Sequence, residues 1–405
     1  VAIVQISRIT NRKGLIDDLP QYLAAAELGW ATNTRQLFIG NGSLVDGAPA
    51  VGNTEILTEF TDIFELKKGY VYKGLAGGYV VQTGSTADNP VNQPLQQRLD
   101  SYAIATDFGI IGDGATDNTE AINQALYQLY CRDAGTPATR RALFFPAGVY
   151  IVTGTLLIPS YATLYGDSTA GTIISFVTEN WSDLVAYSKG VTVNHEGSYY
   201  IAVQDVPYGT GLSDTSYWEP TAKPGYVWRT ADSNQNVGTT IGSDSGIPPT
   251  ELSLTDITFE TDTEIDAAFM EDVTNSNFVN VSIVGPWALS DISSGSPEIS
   301  AVAWSSTPIY VSSNNKFIGC TFRGFKYATN TDQQIQSTTF KDCEFDTLYR
   351  GIDLGGESPV QGGATGTKII NNTFNNIYHQ GIRLKNVSLN ATGYNVFYDV
   401  GNEFN

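Results

Sequence analysis

The sequence is poor in charge, cysteine and methionine, and each shortage excludes something. Charged residues make up 16% of its 405 positions, against about a quarter in ordinary globular chains. Acids outnumber bases 42 to 22, for a net charge of −20, and no basic block interrupts the excess, which excludes a reader of nucleic acid. The three cysteines, Cys131, Cys320 and Cys343, are odd in number and contain no C-x-x-C pair; a disulfide framework and a structural zinc site are both excluded, and all three thiols are expected free. No cluster of histidine, cysteine and acid has metal-ligand spacing and no acidic loop has a calcium pattern, so neither metal nor cofactor is expected. No apolar run approaches the roughly 18 residues of a membrane span. The opening VAIVQISRITNRKG lacks a charged stretch ahead of an apolar one, so neither a signal peptide nor membrane insertion is expected, but a soluble chain made in a reducing compartment.

What is present is glycine, 40 residues, with 22 tyrosines and 18 phenylalanines. That composition builds strands and turns rather than long helices, and it excludes helical bundles and coiled coils as the main architecture. In residues 1–60 apolar positions alternate in VAIVQIS and again in QLFIGNGSL, the second run breaking at a glycine turn. Between them DDLPQYLAAAELGWAT offers a short helix or loop. The series LAAAELGW followed by NTRQLFIGNG resembles a module at the start of many bacteriophage tail fibres, with Ala26 where that module usually has glycine and Asn41 where it usually has aspartate. Residues 61–93 read as a short strand pair and linker. Residues 94–106 have apolar residues at Leu95, Leu99 and Tyr102, the spacing of a neck helix.

The next segment runs DFGIIGDGATDNTEAI. Asp117 and Glu120 form a capping-box pattern, and Ile122, Ala125, Leu126 and Leu129 give one apolar stripe for a helix ending near Cys131. No Lys-Ser/Thr follows the glycines, so the turn is not a phosphate loop. Beyond the helix come short strands punctuated by FFPAGVY, LLIP and LYGD. Together these residues are similar to the opening of the pectate-lyase-like right-handed β-helices, and the preceding PLQQRLDSYAIATDFG resembles the way that opening is attached in phage tailspikes. The implied fold class is mainly β: a right-handed parallel β-helix with a small N-terminal β module and an inserted small β module. Gly166-Asp167-Ser168 then reads as a rung turn, since His195 and His379 lack the acid three residues upstream that an esterase would need.

A repeat supports the solenoid without reference to any family. One apolar pattern recurs at Leu254-x-x-Ile257-x-Phe259, Phe278-x-x-Val281-x-Ile283, Phe317-x-x-Cys320-x-Phe322, Phe340-x-x-Cys343-x-Phe345 and Ile369-x-x-Asn372-x-Phe374. A single rung cannot bury its apolar face alone, so recurrence implies stacking, with Cys320 directly over Cys343. Asn371, Asn372, Asn375 and Asn376 are expected at a turn, bonding between rungs. The final YDVGNEFN reads as the start of another repeat, so either more rungs follow or other subunits close that end.

Residues 181–220 interrupt the repeat and resemble a small chitin-binding-like module, with Trp181, Tyr187, Gly190, Val193, Gly197, Tyr200, Ala202 and Trp218 in the matching places. The resemblance makes Trp181, Tyr187, Tyr200 and Trp218 candidate carbohydrate-stacking rings; the competing reading is that they form the module's own small core. For cleavage of a glycan, Arg350, Asp353 and Glu357 are the candidate catalytic residues, with Arg383 a second possible base. Asp342, Glu344 and Asp346 alternate with Cys343 and Phe345 and are expected to face solvent.

The resulting organisation is a virion-attachment module over 1–60, a β segment and linker over 61–93, a neck helix over 94–106, the start of the β-helix with its capping helix over 107–180, the carbohydrate-binding-like insertion over 181–220, and rungs over 221–405. The resemblances imply a homotrimeric fibre in the virion tail, made in the host cytoplasm, that contacts phage tail or baseplate proteins through residues 1–60 and host surface polysaccharide through the remainder. A polysaccharide hydrolase or lyase on the same scaffold, and a structural baseplate spacer, are the alternatives.

Overall fold

The structure is a computed structural model that describes residues 11–42, 52–57, 95–131, 140–221, 224–231, 249–291, 293, 298–305, 311–331, 333–356, 363–385, 391–393 and 395–400. VAIVQIS, the segment 61–93 and Glu357 lie outside the described residues. The chain divides into two compact units, one reaching Ser101 and one beginning at Tyr102.

In the first unit, strands Asn11–Gly14, Leu28–Ala31, Gln36–Gly40 and Asn53–Ile56 form one four-stranded sheet in that order. The stretch expected as helix or loop is a single 3-10 turn, Ile16–Asp18, followed by loop up to the second strand. Leu23 is buried there, and so is Glu27. The Glu27 carboxylate accepts from the Ala24 backbone N–H at 2.8 Å and pairs with the Arg12 guanidinium at 2.6 Å. Those bonds hold its pKa below the ordinary carboxylate value. Ala26 has φ +61°, a left-handed conformation that costs a residue with Cβ about 1–2 kcal/mol and suits glycine. The expected neck helix is shorter than the apolar spacing indicates. It ends at Leu99, and Ala103–Ile104 is already a strand, paired with Leu143 and Phe144. Ladder pairing outweighs a helical stripe whose members Leu99 and Tyr102 stay exposed.

The second unit is a parallel β-helix. One long sheet stacks Leu143, Leu164, Leu254, Phe278, Phe317, Phe340 and Ile369 in strict register. A second stacks Ile174, Phe259, Ile283, Phe322, Phe345 and Phe374. All five copies of the sequence repeat therefore lie one above another. Ring stacking follows from the register: Phe317 and Phe340 are 5.0 Å apart at 7°, and Phe345 and Phe374 are 4.6 Å apart at 6°. Each fully buried phenylalanine contributes about 1.5–3 kcal/mol relative to exposure.

Between these sheets a one-residue left-handed turn recurs at Asp256, Asn280, Gly319, Asp342 and Asn371. Short polar side chains tolerate that conformation and bond across rungs. The Asn371 amide donates to the Asp342 carboxylate, while Asn372, turned inward, accepts from the Cys343 N–H at 2.9 Å. Later rungs extend the second sheet through long strands, Thr321–Asn330, Glu344–Leu354 and Thr373–Leu384, which bend at Gly324, Thr347 and Asn376.

The capping helix spans Thr119–Tyr130 and buries Ile122, Ala125, Leu126 and Leu129, the stripe read from the sequence. Its cap differs from the expected box. Asn118 is the N-cap, and Asp117 accepts from both the N–H and the hydroxyl of Thr119, at 3.0 and 2.7 Å. Glu120 instead points to Lys189 of the insertion, at 3.4 Å. Gly166 ends the strand Thr163–Gly166, and Asp167 and Ser168 lead into a turn in which Ser168 Oγ accepts from the Gly171 N–H.

Candidate functional site

The insertion leaves the solenoid after Thr172–Phe176 and rejoins it at Tyr226–Ala231, building its own sheet from Glu179–Asn180, Thr192–His195, Ser198–Ala202 and Trp218–Thr221. Its core is Tyr187, Val191, Val193, Ala202, Val206 and Trp218. Trp218 is 1% exposed and meets the Tyr187 ring edge-on at 5.3 Å. The Tyr187 hydroxyl accepts from the Ser182 N–H at 2.7 Å, and burial pushes its pKa up. A ring without a free face cannot lie against a sugar, so the expectation that Trp218 and Tyr187 stack on carbohydrate is corrected: both are module core. Trp181 and Tyr200 are half-buried against that core, and Trp181 meets His195 at 5.0 Å. The well-exposed ring is Tyr208, 68% accessible, which the sequence reading missed because no pattern distinguishes it from the neighbouring tyrosines.

Of the candidate catalytic residues, the structure brings Arg350 and Asp353 together, and it corrects the role expected of Asp353. Asp353 is 1% exposed. Its Oδ2 pairs with Arg350 at 3.1 Å and Arg383 at 3.3 Å, and its Oδ1 lies 3.4 Å from Lys385. A carboxylate enclosed by three cations serves to hold them in place and cannot reach a substrate. Asp342 and Glu344 are exposed as expected. Asp346 is half-buried, accepting from Asn376 at 2.8 Å and lying 3.7 Å from Arg323.

The cations around Asp353 border a feature the sequence reading did not find. Two residues after each bend stands a long side chain: Lys326, Tyr349 and Tyr378. The neighbouring Tyr327, Arg350 and His379 complete the feature, an aromatic ring beside a lysine or arginine on two rungs and beside a histidine on the third. Tyr349 and Tyr378 stack at 5.5 Å and 26°, and His379 meets Tyr349 at 5.4 Å. Lys326 Nζ lies 5.2 Å from the Tyr327 ring and 5.7 Å from the Tyr349 ring, with the Glu298 carboxylate at 2.6 Å. Burial draws the Lys326 pKa down, but Glu298 and Tyr327 outweigh it and the net shift is upward. The Arg350 guanidinium sits 5.7 Å from the Tyr349 ring. Tyr378 is 50% exposed. The signal was available as the dipeptides Lys-Tyr, Tyr-Arg and Tyr-His, the first two in register and the third displaced by a bulge, since Arg350 pairs with Gln380 rather than His379.

Two acids with raised pKa values lie on strand Asp266–Glu271. Burial pushes Asp266 up to about 6, against hydrogen bonds from Ser300, one of them the backbone N–H at 2.6 Å. Burial and the nearby Asp272 raise Glu271, against Arg229. Five strand positions separate the two by about 16 Å, whereas hydrolytic carboxyl pairs stand about 5–9.5 Å apart. They do not form such a pair.

Parallel strands stacked in register around an aromatic core define a β-helix solenoid of the pectate-lyase-like class. A profile of the family described as rhamnogalacturonase A/epimerase, pectate lyase-like, matches residues 103–355, more than half the sequence. The chain belongs to that family. Comparison with curated protein sequences finds no match. Among solved structures it is similar to pre-mature gene product 12 of bacteriophage phi29 (13% identity, TM-score 0.37, covering 72% of this chain and 33% of that one). It is also similar to tailspike protein 3 of bacteriophage CBA120 (13%, 0.34, covering 92% and 63%) and to the gp42 tailspike of Acinetobacter phage vb_AbaP_AS12 (10%, 0.39, covering 98% and 59%). The chain thus spans a third of the first of these and about three fifths of the tailspikes. Likenesses at this level assign neither activity nor partner.

Proposed function

We propose that the chain is part of a bacteriophage tail fibre or tailspike that recognises a host surface polysaccharide, with residues 1–60 joining it to tail or baseplate proteins and three copies forming the fibre. The observation that carries the glycan reading is the stacked Tyr349–Tyr378 pair bordered by Lys326, Arg350 and His379. Tyrosine faces accept the C–H side of a pyranose, and adjacent cations and amides bind its hydroxyl or acidic groups. The attachment reading rests on the residues 23–42 that resemble fibre modules, which fold in a unit separate from the solenoid. Recognition is favoured over cleavage because Asp353 is enclosed by cations and Asp266 and Glu271 are too far apart to cooperate.

The test is binding of purified host capsule or lipopolysaccharide to the whole chain and to the double variant Tyr349→Ala, Tyr378→Ala. Loss of the exposed Tyr378 ring and of the half-buried Tyr349 ring that backs it should weaken binding by about 1–3 kcal/mol. Unchanged affinity removes the aromatic ladder from the site, and release of shortened oligosaccharides by the unaltered chain turns the reading from recognition to depolymerisation.

A further inference from the structure

The outward positions of the first long sheet depart from the charge of the whole molecule. Along one outward row the register places Ser253, Asn277, Lys316, Thr339 and Lys368 one above another. The neighbouring outward row is Thr255, Val279, Ile318, Lys341 and Ile370. In a chain with 42 acids and 22 bases, these ten positions hold three lysines and no acid.

Four members of the first row, Asn277, Lys316, Thr339 and Lys368, form the floor of a groove of about 450 Å³, with Asn275, Asn314 and Ser337 from the adjoining left-handed turns along its side. Asn314 Nδ2 donates to Asn275 Oδ1 at 3.2 Å, so these two amides are bonded to one another along the side. Lys341, in the neighbouring row, has Asp342 at 3.5 Å. Lys316 and Lys368 are exposed, and among the described residues neither has an ion-pair partner. They are two rungs apart, about 9.6 Å, close to one disaccharide step of an extended glycan.

We infer that this groove binds a linear glycan bearing a negative group, carboxylate or sulfate, on alternate sugars, its chain running along the solenoid axis. Lys316 and Lys368 take successive anionic groups, and the asparagine, serine and threonine side chains take the intervening hydroxyls. The inference rests on the glycan-binding reading, names the class of glycan, and places it on a different sheet from the tyrosine ladder. Local cations without partners are required for a polyanion to approach a molecule of this net charge, and the groove supplies them.

The experiment measures affinity of the whole chain for hyaluronan oligosaccharides, which carry carboxylate on alternate sugars, for chondroitin sulfate oligosaccharides, which add sulfate, and for dextran, which is neutral. The first two should bind and dextran should not; the stronger of them identifies carboxylate or sulfate as the preferred group. Lys316→Gln with Lys368→Gln should weaken polyanion binding about tenfold, or about 1.4 kcal/mol, and flatten its salt dependence with an unchanged melting temperature. Lys341→Gln, the control with its own partner, should change it less than about twofold. Equal binding of dextran, no binding of either polyanion, or full binding by the double variant overturns the inference. So does a change of oligomeric mass in the double variant, which would make the groove a contact between copies. Host polysaccharide binding that survives the lysine changes but not Tyr349→Ala, Tyr378→Ala overturns the groove alone and leaves the wider reading standing.

Discussion

At the scale of single residues, burial decides what each titratable group can do. Asp266 is the clearest case, its carboxyl moved from an ordinary 3.8 to about 6 by burial. The folded state then holds the proton more tightly than the unfolded chain, so this group's contribution to stability is complete below about pH 4 and is lost as the pH rises through 6. At pH 8 the ionised form costs about 3 kcal/mol. Asp266→Asn keeps an acceptor for the Ser300 N–H and should raise stability by about 1–3 kcal/mol at pH 8 while changing it little at pH 4; denaturant titrations at the two values measure the difference. The thiols follow the same rule. Cys320 and Cys343 are buried and form no disulfide with each other. Burial, reinforced by the hydrogen bond with Cys343, pushes the Cys320 thiol up. The same hydrogen bond draws the Cys343 thiol down, so protection of both rests on their burial: thiol reagents should leave both untouched in the native protein at pH 8 and count three thiols once it is unfolded without reductant. A count of one would mean a disulfide that the structure lacks.

At the scale of elements, the insertion and the rungs differ in how much of them the sequence disclosed. Rungs were readable because their inward positions repeat with one chemistry, from Leu254 through Phe374, and stacking leaves no freedom in register. The capping helix was readable from its stripe, but its cap was not, since Asp117 and Asn118 both carry capping side chains and only the backbone selects between them. The tyrosine ladder was harder to see because rung lengths vary, because the bends at Gly324, Thr347 and Asn376 set where its members fall, and because a bulge shifts the last rung by one residue between Leu348 and Arg350. In the insertion, type and position of the aromatics were legible but not which rings face inward, because a 40-residue fold uses the same residues for core and surface. Trp218→Ala should consequently cost the insertion about 3–5 kcal/mol and leave the solenoid intact. Two transitions in calorimetry, the lower one displaced, would show it; a solenoid that melts with the insertion would contradict the separation.

At the scale of the molecule, the proposed trimer predicts that sedimentation of the intact protein at micromolar concentration gives three chains per particle, and a monomer or dimer would remove it. The strict register of the rungs carries a consequence of another kind. Phe317 lies under Phe340, and Phe322 under Phe345, 23 positions on. Excising one such period joins chemically equivalent positions, so the sheets and their inward rows can close again with the same cross-section. Reach is thereby quantised: a solenoid of this design lengthens or shortens in steps of about 4.8 Å, one strand spacing for each period gained or lost. Distance between the first and last rungs is set by how many periods the sequence holds, not by the length of any one of them.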